Sequence, residues 1–390
     1  MTAEKSAKHL PELDGIRGLA ILGVLCSHGA GLTGLFVGPS KVDFLFQYCM
    51  VPLWGGVDLF FALSGFLITG ILLRTRSTPN YFRSFYARRV LRIFPIYYLV
   101  LTVTVIAGCF VPAIARQLPP THLWKAAYFL YLQNWPFFWH GHKIMSGYWG
   151  VYWSLAVEEQ FYFVWPLLVY YLPARTIFRI CIIGFICALP LRILLSALFF
   201  GGNFGLAQLT SSRVDALFLG SGTALYMYRF GRPVPLRWIQ WALYAGAAIM
   251  LYIAAFHHQE LVGTSTWILT IGITGYALIS GALVALSQHH IPAVQRWLTL
   301  RPLRVLGKYS YGIYVYHLLL ILSVSAVLRH HREFVSLLSF RDKLMILLVE
   351  IGIVLLFARL SYDQFESRFL RLKRYFQPRD TPVPIASTGD

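Results

Sequence analysis

Apolar runs long enough to cross a bilayer recur along almost the whole chain, and this pattern decides the fold class. A helix of about 20 residues spans the hydrocarbon core. Runs of this length begin near residues 16, 50, 90, 150, 176, 208, 238, 266, 309 and 343. Only 13% of the residues are charged, whereas about a quarter is usual in soluble domains. We therefore predict an all-α polytopic membrane protein, a bundle of about ten transmembrane helices forming one domain over residues 1–360.

Two segments fall outside this pattern. The run WKAAYFLYLQNW (124–135) is too short to span and is rich in aromatic residues, which favours a re-entrant or interfacial helix. Residues 361–390 are expected to form a cytoplasmic tail. Its end, RDTPVPIASTGD, is polar and contains proline, so we predict that the end is disordered. No cleavable signal peptide is expected before the first span.

The positive charge of the chain follows its membrane topology. The net charge is +18, and most Lys and Arg residues lie at the span ends that are cytoplasmic if the N-terminus is cytoplasmic. This predicts cytoplasmic N- and C-termini in a multi-pass inner membrane protein and leaves no reason to invoke nucleic acid. The exception is 329–343, whose four cations fall on the outer side. The five cysteines form no CxxC motif, so we expect small apolar fillers and no disulfide framework or metal site.

The first span carries two polar side chains on one helix face. Arg17 and His28 are eleven positions apart, almost three turns and about 16 Å of rise. Arg17 could snorkel while His28 is hydrogen-bonded in the core. Alternatively, Arg17 holds an anionic substrate group at the inner surface and His28, near mid-depth, acts as a base. The functional interpretation is favoured, because ionisable groups inside a membrane usually mark a functional site. Asp14 either caps this helix or pairs with an arginine.

Three arginines crowd the inner start of the third span, in FRSFYARRVLRIFP (82–95). Arg88, Arg89 and Arg92 satisfy positive-inside topology. They equally suit a phosphate-bearing ligand, because guanidinium groups match phosphate oxygens in a bidentate geometry. Both interpretations stay open.

Two adjacent carboxylates lie within the run WSLAVEEQFYFVWP (153–166). Glu158 and Glu159 point about 100° apart on a helix, so they serve different roles. One is expected to pair with an arginine, and the other to orient a histidine or a hydroxyl. A purely structural ion pair is the alternative.

Further candidates lie on the second and ninth spans. His317, in KYSYGIYVYHLLL, is flanked by tyrosines including Tyr311 and is either a satisfied core residue or a site residue. Ser64 and Gly65 in FFALSGFLITG allow close helix contact, and a nucleophilic Ser64 is the less favoured interpretation. Cys26, two residues before His28, leaves an acyl relay conceivable.

Five segments together resemble the acyltransferase-3 family of bacterial membrane proteins. They occur in the family's order, from residue 13 to about 320, and read LDGIRGLAILGVLCSH, FFALSGFLI, FYARRVLRIFPIYY, WSLAVEEQFYFVWP and SYGIYVYH. The resemblance implies about ten spans and the transfer of an acyl group, usually acetyl, from acyl-CoA to a hydroxyl. Acceptors in the family include lipopolysaccharide, exopolysaccharide, peptidoglycan, nodulation factors and, in a few members, macrolides.

The resemblance also implies roles for individual residues. Arg17 and His28 match the family's arginine and histidine separated by ten residues, and Arg89 and Arg92 match its arginine pair. The family's acidic position falls on Glu158 or Glu159.

We hypothesise that Arg17, Arg88, Arg89 and Arg92 bind the phosphates of acyl-CoA, a co-substrate with no other cofactor. His28 then acts as general base, supported by Glu158 or Glu159. Supporting roles are assigned to Asp14, Ser64, Ser154, Tyr311 and His317. The aromatic loop 135–153 carries Trp135, Trp139, Trp149 and Trp153. We expect the sugar rings of a glycan or lipid-linked saccharide to stack on these tryptophans. The alternative is that the tryptophans anchor the chain at the membrane interface. Three alternatives remain open: acylation of a small secondary metabolite such as a macrolide, a glycan transporter or flippase, and a non-catalytic assembly partner.

Overall fold

The chain folds as a bundle of long helices. The computed structural model describes residues 10–36, 40–135, 147–198, 208–257, 265–331, 335 and 337–379. Within these residues, ten helices are 17 to 30 residues long. They are α1 (Pro11–Leu32), α2 (Gly56–Thr75), α3 (Tyr81–Phe110), α4 (Trp153–Tyr171), α5 (Ala174–Leu198), α6 (Val214–Phe230), α7 (Leu236–Phe256), α8 (Ile268–Leu286, with a π-helical first turn), α9 (Arg301–His330) and α10 (Phe340–Ser361).

The ten helices correspond one to one with the ten predicted spans, and the all-α polytopic class is confirmed. Eight of the helical stretches in the described residues are long and apolar enough to cross a membrane. The other two long helices, α4 and α6, are the glutamate-bearing helix and a helix of 17 residues. Helices α3 and α9 begin eight or nine residues earlier than predicted. At 30 residues, or about 45 Å, they are longer than the hydrocarbon core is thick, and a search for apolar residues does not detect their polar N-terminal turns.

Local sequence signals fix several helix ends. Pro11 stands in the first turn of α1, where a missing N–H costs no hydrogen bond. At the start of α10, Ser339 and Asp342 form a reciprocal capping box. Gly231 ends α6 in the left-handed conformation, with φ 63°.

Close packing at small residues brings the central helices together. A Cβ on Gly65 of α2 would lie 2.0 Å from the carbonyl oxygen of Leu217 on α6, and one on Gly220 would lie 1.8 Å from that of Ala62. The two backbones therefore approach as closely as only glycine permits. This confirms the predicted close helix contact at Gly65.

Shorter elements connect the long helices. Helix His122–Phe129 occupies the predicted short run and buries Trp124 and Tyr128. Helix Lys41–Met50 carries the buried Asp43, which accepts a hydrogen bond of 2.5 Å from Lys343. One of the cations on the predicted outer side is thus neutralised by an ion pair.

After α10 the chain continues as the C-terminal segment, which we define as residues 362–379. It contains a π-helical turn, helix Ser367–Leu372 and a final 3₁₀ turn, Lys373–Phe376. The predicted tail therefore starts as folded structure. The stretch predicted to be disordered lies, apart from Arg379, outside the described residues.

Candidate active site

A cavity of about 320 Å³ opens among α1, α2, α3, α4, α9 and the C-terminal segment. It collects many of the predicted site residues into one place. Those that line it are Arg17, Ser64, Arg88, Arg89, Arg92, Ser154, Glu158 and Tyr311. Asp14 adjoins the cavity through its ion pair with Arg17.

One part of the cavity wall is cationic. The Arg17 guanidinium lies 2.6 Å from the Asp14 carboxylate, an i, i+3 ion pair, which answers whether Asp14 pairs with an arginine. Arg88 donates a 3.2 Å hydrogen bond to Gln377 Oε1 in the C-terminal segment. Nε of Arg89 is buried without a hydrogen-bond partner in the described residues. Unpaired buried donors are costly, so this wall is suited to an anion.

The rest of the cavity is largely apolar. Side chains of α2, α3 and α4 form this part: Phe60, Leu63, Leu67, Ile68, Ile71, Ile93 and Leu155. A cavity with one cationic wall and an apolar remainder, which we call the apolar slot, fits a ligand with a phosphate head and a less polar arm.

Ser64, Glu158 and Tyr162 form a hydrogen-bonded group in the cavity wall. The Ser64 hydroxyl donates to Glu158 Oε1 at 2.8 Å, and the Tyr162 hydroxyl donates to Glu158 Oε2 at 3.0 Å. Glu158 is thus the carboxylate that faces the cavity. Glu159 does not line it, and its Oε1 has no partner in the described part of the chain.

One interpretation of these glutamates is wrong, and another agrees with the structure. Neither carboxylate forms a salt bridge with a described residue, so a structural ion pair is not their role. Glu158 does orient hydroxyl groups, as one predicted alternative had it, because Ser64 and Tyr162 both donate to it. Among the described residues the hydrogen-bond partner of His28 is His317 and not Glu158.

His28 is held by His317. Its Nδ1 lies 2.9 Å from His317 Nε2, and the two rings are nearly parallel, 5° apart, with centroids 5.1 Å apart. His317 is fully buried, in the middle of α9, and its Nδ1 lies 2.7 Å from the carbonyl oxygen of Tyr314. Sequence reasoning named both histidines but missed their pairing.

The hydrogen bonds assign the tautomers of the neutral pair. A carbonyl oxygen only accepts, so Nδ1 of His317 carries its proton and Nε2 is an acceptor. Nδ1 of His28 is then the donor, which leaves Nε2 of His28 as the unprotonated nitrogen. That nitrogen has no hydrogen-bond partner among the described residues. The arrangement leaves one basic lone pair, on a ring fixed by its neighbour.

Tyr314 separates the cavity from the histidine pair. Tyr314 lines the cavity, and its hydroxyl forms a hydrogen bond with the Ser154 hydroxyl and donates to the Val151 carbonyl at 2.8 Å. Its ring centroid lies 5.3 Å from that of His317. His28 itself does not line the cavity. Arg17 and His28 thus share a helix but meet different surroundings. Tyr311, the predicted supporting tyrosine, donates to the Ile93 carbonyl at 2.6 Å.

Cys26 is placed poorly for an acyl relay with His28. Residues two apart on a helix point about 200° away from each other. Cys26 is a free, half-buried thiol. The geometry favours an apolar filler.

The sugar-stacking prediction is wrong for two of its four tryptophans. Trp149 is 1% exposed and donates from Nε1 to Thr104 Oγ1, and Trp153 is 6% exposed. Both belong to the core. Trp135 is half exposed, and Trp139 lies outside the described residues.

A buried ion pair beside the cavity was missed by sequence reasoning. Arg213 Nη2 lies 3.1 Å from Asp58 Oδ2, and both side chains are fully buried. The rings of Trp54, Phe61 and Trp153 surround the guanidinium at 5.2 to 5.7 Å. A second pair, Arg192 with Asp215 at 2.9 Å, lies on the adjacent helices. The available signal was the presence of single charges inside apolar runs.

Three relatives are similar over most of this chain. Peptidoglycan O-acetyltransferase OatA of Listeria monocytogenes is 29% identical over 350 residues, 84% of this chain and 52% of that protein. Putative peptidoglycan O-acetyltransferase YrhL of Bacillus subtilis is 28% identical over 80% of this chain and 48% of its own length. O-acetyltransferase OatA of Staphylococcus aureus is 26% identical over 82% and 52%, respectively. The chain thus spans about half the length of these curated relatives.

The family comparison covers most of the bundle and the site. No solved structure matches the chain. The family model described as an acyltransferase domain matches residues 10–361, which include α1 to α10 and every residue of the histidine pair and the arginine cluster. The chain therefore belongs to the acyltransferase-3 family of membrane proteins.

Proposed function

We propose that the chain is a membrane O-acyltransferase that moves an acetyl group from acetyl-CoA to a hydroxyl of a cell-envelope carbohydrate. The observation that carries this proposal is the cavity, with its cationic wall, its apolar slot and the histidine pair behind Tyr314. The names of the relatives, which are O-acetyltransferases, support the acetyl group and point to peptidoglycan as a carbohydrate acceptor to test first.

The cationic wall binds the phosphates of the donor. Arg17, Arg88, Arg89 and Arg92 offer guanidinium groups that bind phosphate oxygens bidentately. With cytoplasmic termini, as the charge pattern predicts, this wall faces the compartment that holds acetyl-CoA. The apolar slot then accepts the pantetheine arm and points the thioester toward Tyr314.

His28 supplies the base. Nε2 of His28 takes the proton of the acceptor hydroxyl as its oxygen attacks the thioester carbonyl carbon. The carbon–sulfur bond breaks, an ester forms, and the CoA thiolate takes the proton from His28 Nε2, which restores the neutral base. His317 fixes the ring and its tautomer. With cytoplasmic termini, the end of α1, four residues after His28, lies toward the extracytoplasmic side. We therefore expect the acceptor to approach from that side.

The direct test is acetyl transfer by the purified chain in proteoliposomes. We expect free CoA and acetylated product in equal amounts when acetyl-CoA is supplied with oligosaccharides of peptidoglycan. Product mass identifies the acetyl ester. A chain that moves the saccharide across the vesicle membrane without consuming acetyl-CoA is a transporter, and that outcome contradicts the proposal. A panel of lipopolysaccharide and exopolysaccharide fragments in the same assay identifies the acceptor class.

A further inference from the structure

The C-terminal segment folds back onto the inner turns of α3. Asn80 Nδ2 donates to the Gln377 carbonyl at 2.8 Å and its Oδ1 accepts from the Arg379 amide at 3.0 Å. The Ser84 hydroxyl donates to the Phe376 carbonyl at 2.8 Å. Three hydrogen bonds to main-chain groups fix the path of the segment without depending on its side chains.

This docking inserts one lysine into the cavity wall. Lys373 lines the cavity beside Arg88, Arg89 and Arg92, whereas its neighbours Arg371 and Arg374 are exposed and do not line it. Among the described residues, neither Lys373 nor any of these three arginines of α3 forms a salt bridge with a carboxylate. Within the described part of the chain, Glu158 is the one carboxylate that lines the cavity, and it accepts hydrogen bonds from two hydroxyl groups.

Such an assembly of like charges is unfavourable without an anion. Cations a few ångströms apart repel, and the repulsion grows as water is excluded. The hydrogen bonds from Asn80 and Ser84 nevertheless hold Lys373 in place. A ligand with several phosphate oxygens relieves the repulsion and satisfies the unpartnered Arg89 Nε.

We propose that Lys373 is a phosphate-binding residue of the donor site and that the C-terminal segment is the part of the chain that delivers it. This inference rests on the proposed function, since it takes the donor to be a CoA thioester. Lysine adds three donors on a flexible stem to the fixed geometry of the arginines. The segment thus makes the site selective for a donor with an extended phosphate head.

Binding to the full chain in detergent tests the inference. The probes are CoA and S-acetyl-N-acetylcysteamine, an acetyl thioester without phosphate. We expect Lys373→Gln to weaken CoA binding about tenfold or more and to leave binding of the phosphate-free thioester unchanged. The matched control is Arg371→Gln, which removes an exposed charge from the same segment and is expected to stay within twofold of wild type.

Two further readouts separate binding from folding. Without ligand, Lys373→Gln removes a repelling charge, so its thermal midpoint is expected to equal or exceed that of the wild type. Hydrogen exchange of residues 362–379 is expected to slow when CoA is added to the wild type. A Lys373→Gln chain that is stable and binds CoA like the wild type overturns the inference. A wild-type chain that does not bind CoA at all instead overturns CoA as the donor, and thus the proposed function.

Discussion

The imidazoles of His28 and His317 are joined by a 2.9 Å hydrogen bond between α1 and α9, across 289 residues of sequence. The bond orients one ring through the other, because His317 is fixed in turn by the Tyr314 carbonyl. In the proposed mechanism the two histidines have distinct roles, His28 as base and His317 as positioning residue, and these roles predict different kinetic effects of their replacement.

Replacing His28 by alanine removes the proposed base. We expect acetyl transfer to fall by about a hundred- to ten-thousandfold, while the protein remains folded and inserted. Transfer is measured with radiolabelled acetyl-CoA in proteoliposomes, and thermal midpoint in detergent is the control for folding. Full activity of this variant removes His28 from the mechanism.

Replacing His317 by alanine should lower kcat and leave KM for acetyl-CoA unchanged. The reason is that His317 orients His28 and does not line the donor cavity. His317→Gln keeps an acceptor atom and is expected to recover part of the lost kcat. A rise in KM with unchanged kcat would assign His317 to binding instead.

The arginine cluster is tested through the phosphate dependence of the donor. Arg89→Ala is expected to raise KM for acetyl-CoA about tenfold or more, since a charge-assisted hydrogen bond is lost. The reaction with a phosphate-free acetyl thioester should not change. Arg179→Ala on α5, an exposed arginine away from the cavity, serves as the matched control. An equal response to both donors contradicts phosphate binding by Arg89.

Helix packing predicts a contrast between two glycines of α2. Gly65→Ala places a Cβ 2.0 Å from the Leu217 carbonyl oxygen, so the helices must separate, at a cost of about 1–3 kcal/mol or more. Gly70→Ala meets nothing nearer than the flexible end of Arg74 at 3.4 Å and should be neutral or stabilising. Thermal unfolding in detergent compares them. Equal midpoints for the two variants would contradict the close contact.

The buried ion pair predicts a rescue. Asp58→Asn leaves the Arg213 charge buried without its counter-ion and should destabilise the protein by about 3–5 kcal/mol. The double variant Asp58→Asn, Arg213→Met removes both charges and should regain most of that loss. A double-mutant cycle from unfolding midpoints measures the coupling. Purely additive effects would show that the pair contributes no specific interaction.

Much of the fold could be predicted because apolar length is a property of the sequence alone. The apolar runs that form α1 and α10 can each be recognised alone, because a membrane helix makes its backbone hydrogen bonds within its own segment. The N-terminal turns of α3 and α9 could not be predicted in this way, because they are polar and do not extend the apolar run. The arginine cluster of Arg88, Arg89 and Arg92 could also be predicted, since all three lie on neighbouring turns of one helix.

The tertiary partners could not be predicted from the sequence. His317 meets His28, Asp58 meets Arg213, and Lys373 enters the arginine cluster, each across more than a hundred residues. Helix spacing fixes which side chains share a face but not which helix lies opposite. The same limit applies to Glu158: the sequence leaves a histidine or a hydroxyl open as its partner, and in the structure it accepts from the hydroxyls of Ser64 and Tyr162.

The packing of α1 against α9 also bears on how the protein is made. The two histidines are separated by 289 residues, and chains grow at about 5–20 residues per second. Roughly 15 to 60 seconds therefore pass between synthesis of His28 and synthesis of its partner. For that interval His28 of α1 lacks its hydrogen-bond partner. The contact between α1 and α9 can therefore form only late in synthesis, after most of the bundle is made.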